Sequence, residues 1–286
     1  MSIKSLIVNA FSKDEKCGNP AGVILAADKL SDKKMLQISY KLGFSESVFI
    51  TKSESADFKL RFFSITNEVD MCVHATIAAV RALIHSRKII FGKLKKKIIR
   101  LETNSRIITA ECFKAGFTSI SLRNPEYRAL ESDRKLISSL LNINEDELSN
   151  LPIQCVSVGV PKLIIPINSL NFLFKIRPDL VGIRKYCKIN NLNGFYPFTF
   201  ETKDKSSDFH ARQFNPLAGI NEDSVTGVAA GALGAYIIKN GISLKRKFIV
   251  ESGYIMKKPG KIYIDISSNK IKVGGYAIIV GEKVFQ

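Results

Sequence analysis

The order of elements in this chain runs through once and then again, and that repetition limits the possible folds more than any other feature. In the first pass, a strand at 3–11 leads through a turn at Gly18-Asn19-Pro20 to a strand at 22–27. Ser31 is placed to cap a helix that carries Met35, Ile38 and Leu42 on one face, and Gly43 to end it. Strands are expected at 44–50 and 57–63, an Ala-rich helix over about 74–86, and strands near 97–103, 106–113 and 117–123. Asn124-Pro125 closes this pass. After a polar helix at 133–141 the order restarts. Strands at 153–159 and 162–167 precede a helix behind Pro178, strands at 194–200 and 208–214, an Ala-rich helix at 226–239, and three final strands.

Particular residues repeat as well. Arg61-Phe62-Phe63 leads through an acidic segment to Cys72-Val73-His74, and Arg212-Gln213-Phe214 leads through Glu222-Asp223 to Thr226-Gly227-Val228. The second of these segments is three residues longer. Eight elements in the same order argue for a duplicated unit, with an N-terminal half over 1–124 and a C-terminal half over 125–286. The sequence leaves open whether the final strand returns to the first half. Short links between consecutive strands put the chain in the α+β class with mixed and antiparallel sheets. The helices ATIAAVRALI and GVAAGALGAYII are apolar around most of their circumference, so each is expected at the centre of a curved sheet.

A chain of 286 residues suits two ordinary domains, and 45% hydrophobic with 24% charged residues is a globular profile. No apolar run approaches the roughly 20 residues that span a bilayer, and the start reads as a strand and not as a signal peptide. A cytoplasmic protein without membrane partners is the expectation. Five cysteines without CxxC spacing argue against a disulfide framework or a structural zinc site. The net charge of +17 is spread over scattered lysines, apart from Lys93 to Lys97, a charged loop expected between strand-like IIF and IIRLE. That scatter fits a solvated surface that attracts small anions, and no nucleic-acid partner is expected.

A buried helix offers N-terminal amides without intrahelical partners and the positive end of a dipole. Two such helices begin at related points of the two halves. If the halves face each other, both starts address one cleft, a ready site for a carboxylate. Strand alternation would place Glu46 beside Phe44, Val48 and Ile50, where apolar neighbours raise a carboxyl pKa and suit it to hold or accept a proton. His74 and Asp223 lie at the two helix starts. Each residue also has a bland reading: Glu46 as a strand-end residue in solvent, His74 as a core or capping histidine, Asp223 as a cap. Convergence of the three on one cleft favours a site.

The segments GNPAGVIL (18–25), FSESVFI (44–50), LRFFSITNEVDMCVHATIAA (60–79), VSVGVP (156–161) and ARQFNPLAGINEDSVTGVAAGAL (211–233) occur in order. Together they resemble the PhzF family of phenazine-biosynthesis isomerase-like proteins over nearly the whole chain. The resemblance implies two pseudo-symmetric domains of the diaminopimelate epimerase-like fold with the active site between them. It implies that Glu46 is the acid/base glutamate and that His74 and Asp223 hold substrate and support proton movement. It also implies substrate contacts from Asn19, Val73, Gly227 and Val228, no metal or organic cofactor, and a homodimer. Two residues depart from the family pattern: Val73 stands where Gly is usual, and Val228 where Ser is usual. The related racemases use one cysteine at each helix start. Here Cys72 has only Thr226 opposite it, and a hydroxyl is too weak an acid and base to replace a thiolate. The resulting expectation is a cofactor-independent isomerase acting on a small carboxylate, with a catalytically silent binding protein of the same fold as the alternative.

Overall fold

Ser31 and Gly43 bracket the first helix as the sequence predicts. In the computed structural model, which describes residues 2–128, 130, 133–268 and 270–286, α1 is Asp32–Leu42. The Ser31 hydroxyl accepts from the Lys34 amide, and Gly43 is left-handed with φ 72°. The chain divides into two units, Met1–Ser121 with Gly274–Gln286, and Leu122–Val273.

The first unit contains β1 (Ile3–Ala10), β2 (Asn19–Ile24), α1, β3 (Ser47–Thr51), β4 (Phe58–Phe63), β5 (Glu68–Val69) and α2 (Val73–His85). It continues with β6 (Lys96–Glu102), β7 (Ile107–Phe113) and β8 (Phe117–Ser121). The second holds β9 (Glu126–Arg128), α3 (Arg134–Leu141), β10 (Gln154–Ser157), β11 (Pro161–Pro166), α4 (Leu170–Lys175) and α5 (Leu180–Ile189). Then come β12 (Phe195–Thr199), β13 (Phe209–Ala211), β14 (Gln213–Asn215), β15 (Ile220–Asp223), α6 (Gly227–Lys239), β16 (Lys247–Ser252) and β17 (Gly260–Ser268). The last strand, β18 (Lys270–Phe285), contributes its residues from Gly274 onward to the first unit.

In the first unit the pairings run β1–β2–β3–β4–β6–β7–β8–β18 and return to β1, so the sheet closes on itself. The pairs β2–β3 and β4–β6 are parallel. Helix α2 packs on β1, β2, β3 and β8, and Ile77, Ala78, Ala79 and Val80 on it are fully buried. On the other face, Met35 and Ile38 of α1 pack with Ile24, Phe49 and Phe63. The expected central helix wrapped by a curved mixed sheet is the observed arrangement.

The second unit repeats the pattern. Its pairings β10–β11, β11–β12, β12–β13, β13–β16 and β16–β17 alternate antiparallel and parallel in the same order. Helix α6 packs on β10, β11 and β17. Outside, α3, α4 and α5 supply Ile137, Leu141, Leu173 and Ile183 to a core with Leu163, Ile165 and Phe195. Each unit also carries the same ion pair. Arg61 holds Glu68 with two bonds of 2.8 and 2.7 Å, and Arg212 holds Glu222 with two of 2.9 Å. Each pair ties the strand before the acidic loop to the loop's end, just ahead of the buried helix.

Some boundaries differ from the sequence reading. Strand β2 starts at Asn19 and not at 22, with Pro20 opposite Asn9 of β1. Its pairing to β3 begins only at Gly22, so the proline's missing N–H costs no ladder bond there. Strand β3 begins at Ser47, because residues 43–46 are spent in leaving α1. The run Ile89–Phe91 is no strand; the Lys88 and Ile89 amides instead close the end of α2 on the Leu83 carbonyl. Lys96 and Lys97 lie inside β6 and not in a loop. None of the five cysteines forms a disulfide, and no helix among the described residues is long and apolar enough to cross a membrane.

Candidate functional site

Helix α2 starts inside the first unit without a side-chain cap. Cys72 is its N-cap, with extended φ −138° and ψ 123°, and no side chain bonds the first-turn amides from that position. The extended backbone turns the thiol towards the first helical turn: Cys72 Sγ lies 3.2 Å from His74 Nδ1. The other ring nitrogen, Nε2, faces Glu46 Oε2 at 3.6 Å. The His74 side chain is 6% exposed and that of Glu46 17%. A carboxylate, an imidazole and a thiol therefore meet at the start of a buried helix, the imidazole buried and the other two part-exposed.

Strand alternation did not produce this meeting. Ser47, Val48, Phe49 and Ile50 are all buried, so β3 shows no in-and-out rhythm, and Glu46 precedes the strand. The Glu46 carboxylate has the His74 ring beside it. Asn19 opens β2 opposite Ala10 and is buried. Because β2 and β3 are parallel with Gly22 opposite Ser47, the strand start carrying Asn19 lies at the same end of the sheet as Glu46. Val73, the first residue of α2, is buried.

The second unit builds its helix start differently. Thr226 is the N-cap of α6 and, like Cys72, gives no side-chain cap to the helix. Its hydroxyl donates to Asp223 Oδ2 in a short hydrogen bond. Asp223 ends β15 opposite Gln213. The Gly227 and Val228 amides lie in the first turn of a helix thirteen residues long, where backbone N–H groups lack intrahelical partners. Gly227 is buried and Val228 half-buried.

Matching registers allow the two units to be compared residue by residue. Gly22 pairs with Ser47 as Leu163 pairs with Phe195, and Phe62 pairs with Val69 as Gln213 pairs with Asp223. The position before β3 that carries Glu46 thus corresponds to Gly194, and His74 to Val228. The apolar residues Ala21, Val48, Phe62 and Val69 correspond to Lys162, Tyr196, Gln213 and Asp223. Lys162, Tyr196 and Gln213 are all buried. The Lys162 ammonium donates to Asn193, whose side chain also accepts from Asn215. The Tyr196 hydroxyl and Gln213 Oε1 are buried without a hydrogen-bond partner among the described residues. Burial raises the Tyr196 phenol, and the nearby Asp223 charge adds to that rise.

Sequence reasoning singled out Glu46, His74 and Asp223 but passed over the thiol as a member of the first cluster, and over the polar row behind Asp223. An arginine ahead of the acidic segment and a glutamate at the same distance before each helix start were the available signal for the equivalence of the two starts. Tyr196 and Gln213 emerge only once the register is known.

The family model described as "Phenazine biosynthesis-like protein" matches residues 8–283. The chain is 34% identical over 278 residues to the uncharacterized isomerase YfhB of Bacillus subtilis, covering 94% of this chain and 94% of the relative. It is 34% identical over 298 residues to an uncharacterized isomerase of Clostridium acetobutylicum, covering 96% and 94%. Among solved structures, the PhzF-family phenazine biosynthesis protein of Bacillus anthracis aligns with a TM-score of 0.90 at 28% identity, covering 100% of this chain and 99% of that one. A hydroxyproline epimerase of Agrobacterium vitis, 10% identical with a TM-score of 0.65 and covering 99% and 91%, shares the fold. With a family match from near its first residue to near its last, and with relatives that carry the name isomerase, this chain belongs to the PhzF family.

Proposed function

We propose that the protein is an isomerase that moves a proton on a small carboxylate-bearing substrate, with Glu46 as the acid/base. The observation that carries this reading is the Glu46–His74 contact of 3.6 Å at the uncapped start of α2. A part-exposed carboxylate can meet a substrate C–H, and the imidazole beside it can orient the substrate or pass the proton on. Asp223 and the Gly227 and Val228 amides serve the same reaction by holding the substrate's carboxylate and its polar groups, with Asn19 and Val73 completing the contacts. The chemistry asks for no electron transfer, so a proton acceptor and fixed hydrogen-bond donors are sufficient parts. A homodimer belongs to the same reading, and light scattering on the purified chain measures it.

The test is deuterium uptake from heavy water into a panel of small carboxylates, cyclic and anthranilate-like ones included. Wild type is expected to exchange one position of at least one member. Glu46→Gln is expected to lose about 10²–10⁴-fold in rate, the usual worth of a positioned acid/base. Equal rates in the two proteins remove Glu46 from the mechanism. Val73 and Val228 support a second reading, a silent ligand-binding member of the fold, since each puts a branched apolar side chain at a helix start. Tight binding from the panel with no exchange by wild type selects that reading.

A further inference from the structure

The cluster at the start of α2 brings together three different donor elements. One ligand atom each from Glu46, Cys72 and His74 lies within 4.8 Å of the other two. Cys72 Sγ is 3.2 Å from His74 Nδ1 and 4.0 Å from Nε2, and Glu46 Oε2 is 3.6 Å from Nε2. Zinc takes thiolate sulfur at about 2.3 Å, imidazole nitrogen at about 2.0–2.1 Å and carboxylate oxygen at about 2.0–2.2 Å. Donors around a tetrahedral zinc ion therefore stand roughly 3.3–3.7 Å apart. The Nε2–Oε2 separation already falls in that range; the sulfur stands nearer Nδ1, so the Cys72 side chain has to turn about its Cα–Cβ bond to join an ion held on Nε2. Glu46 and Cys72 are both part-exposed, which leaves their side chains room to turn and an ion a way in.

We infer that Glu46, Cys72 and His74 form a binding site for Zn²⁺, and that the bound ion blocks proton transfer by occupying the Glu46 carboxylate and the His74 ring. Sulfur and nitrogen donors select zinc over Mg²⁺ and Ca²⁺, which take oxygen donors. Three protein ligands leave the fourth position open, for water or for the carboxylate of a bound molecule. The ion need not stabilise the fold, since α2 is already packed on four strands without it. Among the described residues this is the one group of three such side chains with ligand atoms that close. The blocking half of the inference rests on the role proposed for Glu46; the binding half does not.

The experiment titrates the full chain with Zn²⁺ and, as a spectroscopic probe, with Co²⁺. Wild type, Cys72→Ser and Glu46→Gln are compared, with folding of each checked by circular dichroism. One Zn²⁺ per wild-type chain is expected, unaffected by excess Mg²⁺, together with a sulfur-to-cobalt charge-transfer band that Cys72→Ser lacks. Each variant should bind more than about tenfold more weakly, since losing even an outer partner of a ligand costs 10–100-fold. Absent Zn²⁺ binding, undiminished affinity in folded Cys72→Ser, or a cobalt spectrum without the thiolate band overturns the site. Should wild type exchange deuterium, one equivalent of Zn²⁺ is expected to stop it and a chelator to restore it. Exchange that continues in the zinc-loaded chain overturns the blocking role alone. Zinc binding with no exchange on any substrate leaves the site standing, while the isomerase reading and the blocking role fall together.

Discussion

Arg61 and Arg212 make the same two-pronged bond to a glutamate, but their surroundings give that bond different weights. The Arg212 side chain is 4% exposed, and it also donates to the Leu173 and Ile176 carbonyls at the end of α4. The Arg61 side chain is 19% exposed, and its third partner, Asp32, lies largely in solvent. Its hydrogen bonds to the Glu68 carboxylate raise the Arg61 pKa above its already high value, against the opposing effect of burial. Removing one member of a buried pair strands the other charge, which typically costs about 3–5 kcal/mol. A part-exposed pair lets water replace the lost partner, for about 1–2 kcal/mol. Urea denaturation should therefore show Arg212→Leu to be more destabilised than Arg61→Leu, by at least about 1 kcal/mol. Equal losses would mean that the two pairs do the same structural work despite their burial.

The two buried helices show where sequence and structure part company. Their existence, length and position are legible because an apolar surface on all sides has few places to go other than a core. Helix α1 is legible for another reason: Ser31 and Gly43 are local signals that act without tertiary context. Strand β3 starts at Ser47 and not at 44, and burial of Ser47 to Ile50 on both faces erases the alternation from which Glu46 was placed. Cys72 was missed as a neighbour of His74 because residues two apart do not face each other along a helix. Its extended N-cap conformation is what turns the thiol towards the ring. The helix starts also hold the two departures from the family pattern, and burial separates their consequences. Val73 is buried, so Val73→Gly loses its apolar contacts and weakens the first turn, for about 2–4 kcal/mol. Val228 is half-buried, and Val228→Ser should cost under about 1 kcal/mol. If these valines restrict the substrate, Val228→Ser is expected to exchange deuterium into more members of the carboxylate panel than wild type does. An unchanged range would make Val228 a packing residue only.

Across the whole molecule, the repeat is kept in backbone and lost in chemistry, and the sequence alone could show only the first of these. Element order repeats in plain view, and so does the interval from Glu68 to Cys72 and from Glu222 to Thr226. The replacement of Ala21, Val48 and Phe62 by Lys162, Tyr196 and Gln213 becomes visible only after strand register matches the positions. Charge behaves as a property of the entire chain in the same way. The 43 lysines and arginines are opposed by only 26 acidic residues, so protonating those acids leaves a large uncompensated positive charge. Several carboxylates are held below their ordinary range by particular partners: Glu68 chiefly by the bond from Arg61, and Asp32 by Arg61 as well. The most deeply placed is Glu251. Burial pushes this carboxyl up, but the His210 ring at 2.8 Å and the Lys203 and Asp204 amides outweigh it and hold the pKa below 4.5. A carboxyl with a lower pKa folded than unfolded stabilises the fold above the unfolded value, and that stability drains away as pH falls through the folded one. Melting temperature should therefore be steady near neutrality and drop below about pH 4.5, with added salt moderating the fall by screening the repulsion. Glu251→Gln cannot lose a charge it does not carry. At neutral pH it is expected to melt roughly 5–10 °C lower than wild type, for a loss of about 3 kcal/mol. Below pH 4.5 the gap should narrow, because the wild type is then surrendering the same interaction. Melting curves that stay parallel down to acid pH would show that Glu251 holds its place by shape and not by charge.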